Sequence, residues 1–131
     1  MLNSVTPFLI VDDLGATIGF YQSRLGFEVR YQGGSDGNGN DYWVFMGRDQ
    51  VMLMFKEITP EVHPQPNHSR HPWARWDVYI HTDDPDSLYR EFTGRQVPMQ
   101  QELANTHDGL RAFEIMDNSG YVLCFGRPVE K

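Results

Sequence analysis

His63, His68 and His71 are separated by five and three residues, and form the densest run of metal-capable side chains in the sequence. Imidazole nitrogens bind zinc and related ions, and Asp77 or His81 could complete an unconventional site with them. The same stretch, residues 56–72, carries four prolines and no apolar periodicity, which predicts a solvated connection whose histidines lie at the surface. His107, beside Asp108 and Gly109, is placed in a loop that could flank a pocket mouth. Asp77 and Glu114 are candidates for a general base in a metal-free isomerase or lyase. Cys124 is the lone cysteine and sits in an apolar run, where a thiol behaves as a small hydrophobe with a raised pKa and not as a nucleophile.

The elements that position these residues come twice. Val51-Met52-Leu53-Met54-Phe55 is echoed 70 residues later by Tyr121-Val122-Leu123-Cys124-Phe125, and the acidic pair Asp12-Asp13 returns 71 residues later as Asp83-Asp84. Two copies of one supersecondary unit are implied. In the first copy, a strand within Val5 to Val11 leads to a helix capped by Asp12 or Asp13. Leu14, Ile18, Tyr21 and Leu25 draw one helical stripe, and Gly26 ends it. Strands follow over Phe27–Gln32, Tyr42–Met46 and Gln50–Phe55, with a glycine-rich loop from Gly33 to Asn40. That loop lacks the lysine and the following helix of a phosphate-binding loop, and is read as a mobile connection or the lip of a pocket. The second copy runs as a strand over Ala74–His81, then a helix capped by Asp84 with Pro85 in its first turn and ending at Gly94. Strands at Met99–Leu103, Leu110–Met116 and Tyr121–Phe125 complete it.

Composition bounds what these units can be. The 131 residues, 40% hydrophobic and 13% aromatic, suit one globular domain. Mean hydropathy is -0.52 and no apolar run spans a bilayer, so no membrane association is expected. Met1-Leu2-Asn3-Ser4 does not resemble a signal peptide, and a lone cysteine forms no internal disulfide; a cytoplasmic location is the expectation. A net charge of -7 disfavours nucleic acid and mildly favours neutral or cationic ligands.

Two βαβββ units, the Gly26-Phe27-Glu28-Val29 step after the first helix, and the ending Phe113-x-x-x-Asp117-x-x-Gly120-Tyr121-Val122-Leu123 resemble the vicinal oxygen chelate superfamily of glyoxalases, extradiol dioxygenases and bleomycin-resistance proteins. The closing Gly120-Tyr121-Val122-Leu123-Cys124-Phe125-Gly126-Arg127-Pro128 is similar to small bacterial members of the bleomycin-resistance branch. The resemblance implies an α+β fold in which residues 1–131 form a single domain. Module 1 takes 4–55, a linker 56–72, and module 2 residues 73–127, with a cupped, mostly antiparallel half-barrel, helices outside and a ligand cavity between modules.

Catalytic members hold a metal through histidine or glutamine on the first strand and glutamate on the last strand of each module. Carried through the repeat, those positions fall on Thr6, Met54, Asp77 and Cys124, a poor cage for a catalytic divalent ion, so neither metal nor other cofactor is expected. Strand alternation puts Phe8, Met52, Met54, Arg75, Asp77, Tyr79 and Cys124 on the cup wall, with Val51, Leu53, Phe55, Val78 and Ile80 in the core beneath the helices. Trp43 and Phe113 are read as equivalent positions and as further wall, and Trp76 as an aromatic stacking surface. The resulting expectation is a binding protein that sequesters an aromatic or cationic small molecule, an antibiotic being one candidate, and performs no chemistry. Trp73 and Trp76 at the module junction suit a homodimer. The alternative is a glyoxalase or dioxygenase type enzyme holding its metal through atypical ligands such as His81 and Asp77.

Overall fold

The computed structural model describes residues 1–34 and 42–129. Residues 35–40 of the expected glycine-rich loop, with residue 41 after it, lie outside the described residues. The chain divides into two compact units, Met1–Pro64 and Gln65–Lys131.

In the first unit, β1 (Phe8–Ile10), α1 (Leu14–Leu25), β2 (Glu28–Gly33), β3 (Trp43–Arg48) and β4 (Val51–Lys56) follow in order. The sheet order is β1-β4-β3-β2, parallel between β1 and β4 and antiparallel elsewhere. Helix α1 starts where Asp13 turns extended and its carboxylate accepts the Ala16 N–H at 2.9 Å. The Leu14 N–H goes to Glu57 Oε1 at 2.5 Å, so an acidic residue just past β4 also sits on the helix N-terminus. Gly26 ends the helix in the left-handed region at φ 70°. The stripe buries Tyr21 completely, its ring 5.6 Å from Phe27 and 4.7 Å from Phe55.

The second unit repeats the plan with β5 (Val78–His81), α2 (Pro85–Gly94), β6 (Met99–Asn105), β7 (Leu110–Met116) and β8 (Val122–Pro128), in the order β5-β8-β7-β6. Asp84 caps α2 by accepting the Ser87 N–H at 3.0 Å. Phe92 is wholly buried against Phe113 and Phe125, which stack on each other at 5.4 Å. Gly94 remains helical, and the left-handed residue that ends the turn is Gln96 at φ 60°, which stands 70 residues after Gly26. Among the described residues no helix is long and apolar enough to cross a membrane.

Two strands are shorter than expected. β1 begins at Phe8, after the restricted backbone of Pro7, so Thr6 precedes the strand. β5 begins at Val78, because the preceding chain is still turning and its polar groups are used otherwise: Asp77 donates its N–H to the Val122 carbonyl at 2.9 Å, and its carboxylate is taken by backbone amides.

Candidate functional site

The ladders fix which residues share a face. In the second unit Val78 and Ile80 pair with Leu123 and Phe125 on the helix side, while Tyr79 pairs with Cys124, and Cys124 in turn with Glu114 on β7. Residues paired across a ladder share a face, in the parallel β5–β8 pair as in the antiparallel β7–β8 pair, so Tyr79, Cys124 and Glu114 form one row away from α2. In the first unit the corresponding row is Phe8, Met54 and Phe45.

The repeat therefore aligns Phe45 with Glu114 and not Trp43 with Phe113. The expected equivalence is off by one, and one residue in a strand reverses the face. Phe113 borders the pocket described below, but its ring belongs to the core, 5.3 Å from Tyr89 and stacked on Phe125. Trp43 stays with its own unit. Its indole lies across Gly33, where an added Cβ would come within 2.8 Å of the ring, and meets Phe45 edge-on at 5.6 Å. Tyr31 also meets Phe45 edge-on, at 6.0 Å. Met52 and Met54 are half-buried on this face opposite the buried Leu53 and Phe55, and Phe8 is 49% exposed. The first unit thus gathers Phe8, Trp43 and Met54 into an aromatic and thioether surface, with Met52 at its edge opposite Gly47.

The second unit holds the polar chemistry. Glu114 is 3% exposed, and its Oε2 accepts from Arg75 Nη2 and from Trp76 Nε1, both at 2.9 Å. Neighbouring residues on a regular strand point to opposite faces; Arg75 and Trp76 converge on one oxygen because they precede β5. Trp76 also lies 5.6 Å from Tyr79, the two rings tilted by 30°. Beside this group is a pocket of about 170 Å³, lined by Arg75, Trp76, Gln101, Glu114 and Cys124, with His107 and Asp108 also on its wall. Glu114 was legible in the sequence only as a possible base, and Gln101 gave no signal, because each reaches the pocket through pairing with a distant strand.

Asp77 does not join the pocket chemistry as expected. Its Oδ1 accepts the Asn67 N–H at 2.8 Å and its Oδ2 the Val122 N–H at 2.9 Å, so the carboxylate ties the segment around Asn67–Ser69 to the start of β8. Asn67 Nδ2 reinforces the tie by donating to the Trp76 carbonyl at 2.8 Å. The linker histidines are exposed and go to separate partners. His63 meets Asp12 at 2.9 Å, His68 meets the Gly120 carbonyl at 2.8 Å, and the His71 ring packs against Trp73. His81 lies 3.2 Å from Asp83 and not beside Asp77. Among the described residues no three His, Cys, Asp or Glu side chains come together as a metal site.

The positions that hold a metal in catalytic members do not fit one here. Cys124 is fully buried, and burial, followed by the charge of Glu114, pushes its thiol up to about 12, so the sulfur stands as a neutral thiol inside the fold. Asp77 spends both oxygens on backbone amides, and Thr6 and Met54 offer a hydroxyl and a thioether. Tyr79 is likewise raised, by burial and then by Cys124, and is a neutral phenol facing Trp76.

Comparison with known proteins agrees with this architecture. A family model described as Glyoxalase/Bleomycin resistance protein/Dioxygenase superfamily matches residues 2–125. None of the curated protein sequences matches the chain. Among solved structures, a bleomycin-binding protein complexed with bleomycin is 21% identical with a TM-score of 0.69, covering 96% of this chain and 98% of that one. An antibiotic-binding protein from a Streptomyces species is 20% identical at a TM-score of 0.68, covering 98% of each chain. A glyoxalase-related enzyme from Clostridium phytofermentans is 12% identical at a TM-score of 0.75, covering 98% of this chain and 97% of that one. With the doubled βαβββ plan, two open four-stranded sheets and a match along nearly the whole sequence, the chain belongs to the glyoxalase/bleomycin resistance protein/dioxygenase superfamily, the vicinal oxygen chelate proteins.

Proposed function

We propose that this chain is a small-molecule-binding member of its superfamily, sequestering an aromatic or cationic ligand without a metal and without chemistry. The observation that carries the reading is the pocket beside Glu114, where the Trp76 indole, a buried carboxylate and an arginine converge on a space of about 170 Å³. The wall mixes Trp76, Phe113 and Cys124 with the polar Arg75, Gln101 and Glu114, so it offers both an apolar surface and groups that fix a ligand's orientation. The donor set at Thr6, Met54, Asp77 and Cys124 supports the metal-free part. Bleomycin and other antibiotics are bound by structurally similar proteins, which makes cationic and aromatic antibiotics the first ligands to try.

In this reading the protein is cytoplasmic and works as a homodimer. Phe8, Tyr31 and Trp73 are 49%, 64% and 88% exposed, and a second copy would cover such rings. Light scattering at micromolar concentration should give twice the chain mass of 15.2 kDa; a monomer sinks the dimer.

The functional test is a thermal-shift screen of cationic and aromatic antibiotics, with metal content measured on untagged protein. A ligand at a hundred times its Kd stabilises by about 2.7 kcal/mol, or about 10 °C in Tm for a chain of this size. No shift from any compound, together with one ion per chain that survives chelation, would replace this reading with a metal-dependent enzyme.

A further inference from the structure

Glu114 presents an imbalance. Oε2 receives two hydrogen bonds, from Arg75 and Trp76, whereas Oε1 is buried and has no hydrogen-bond partner among the described residues. The side chain is 4% exposed and lines the pocket. A carboxylate oxygen left unmade in such a place is costly. A group that enters the pocket and donates an N–H recovers that cost.

We propose that the pocket recognises the N–H edge of an organic cation, an amidinium, guanidinium or primary ammonium, through Glu114 Oε1, while Arg75 and Trp76 hold Oε2 in place. This rests on the small-molecule reading and names the group its ligand presents. Charge favours a cation over a neutral donor. Glu114 and Asp108 contribute two carboxylates to the wall against the guanidinium of Arg75, with the His107 ring 3.3 Å from Asp108. Arg75 is 44% exposed and screened by water, whereas Glu114 is buried, so the carboxylate's field dominates inside. The net charge of -7 acts in the same direction at longer range. Trp76, bonded to the carboxylate and on the pocket wall, adds a π face beside it. A charge-assisted bond to a buried oxygen also sets direction, so the cation points inward and any aromatic body of the ligand outward.

Benzamidine, benzamide and benzoate test the idea, because they share one ring and differ in the group presented. Each is titrated at millimolar concentrations into ¹⁵N-labelled protein while the indole N–H signals of the three tryptophans are followed. The Trp76 indole is bonded to the same carboxylate and reports on it directly. Benzamidine should shift the Trp76 signal with at least about tenfold higher affinity than benzamide, with no effect from benzoate, and Glu114→Gln should abolish the difference. Contacts from the benzamidine ring to Trp76 and Gln101 protons in the wild-type protein give a readout that needs no variant. Equal binding of benzamide overturns the cation, and absent ring contacts or no binding overturn the site. If benzamidine binds but leaves Trp76 unmoved and is indifferent to Glu114→Gln, small-molecule binding stands and this assignment falls.

Discussion

Replacing Asp77 by alanine removes a carboxylate that accepts two backbone N–H groups, from Asn67 at 2.8 Å and Val122 at 2.9 Å. Hydrogen bonds to a charged group contribute about 1.5–3 kcal/mol each. Asp77 is half-buried, so the lower end applies and the pair sums to about 3 kcal/mol. That is a large share of a typical total of about 5–15 kcal/mol. With a urea slope of about 2 kcal/mol/M, the unfolding midpoint should fall by about 1.5 M. Asp77→Asn keeps one acceptor and turns its amide N–H₂ toward a donor, so it should lose about half as much. Amide hydrogen exchange adds a local reading: protection at Asn67 and Val122 should drop in both variants before the core strands respond. A midpoint change below about 0.5 M, or unchanged exchange at these two amides, would refute the view that Asp77 serves architecture.

Cys124 gives a pH signature. Its folded thiol is raised to about 12 from an ordinary value of 9.0, chiefly by burial, so its stabilising effect is complete below pH 9 and is lost as pH climbs toward 12. Urea melts across that window should be steeper for wild type than for Cys124→Ala by up to about 1.4 kcal/mol per pH unit, and thiol reagents should be inert toward the native protein at neutral pH. Phe113→Ala should cost about 3–5 kcal/mol, as a cavity in the core under α2 requires, and a loss below about 1 kcal/mol would return the ring to the ligand wall. Gly126→Ala should destabilise by about 1–3 kcal/mol in thermal melts, because the new Cβ would lie 2.6 Å from the Ala112 Cβ across the β7–β8 ladder.

The doubled plan, both helix caps and the core stripes were legible in the sequence, because they rest on short-range rules. Asp13 and Asp84 cap through their own next turn, Gly26 needs only its own φ, and Leu53 and Phe55 alternate with Met52 and Met54 whatever strand lies beside them. The family likewise follows from residues in order along the chain. What the tertiary structure decided is register and convergence. A one-residue offset between β3–β4 and β7–β8 moved Phe113 into the core and put Glu114 on the site face. The early end of extended backbone before Val78 let Arg75 and Trp76 meet one oxygen, and took Asp77 out of the pocket to hold two distant amides. Such outcomes depend on which residue of another strand is opposite, and hydrogen bonds between residues 38 and 45 positions apart leave no periodic trace in the sequence.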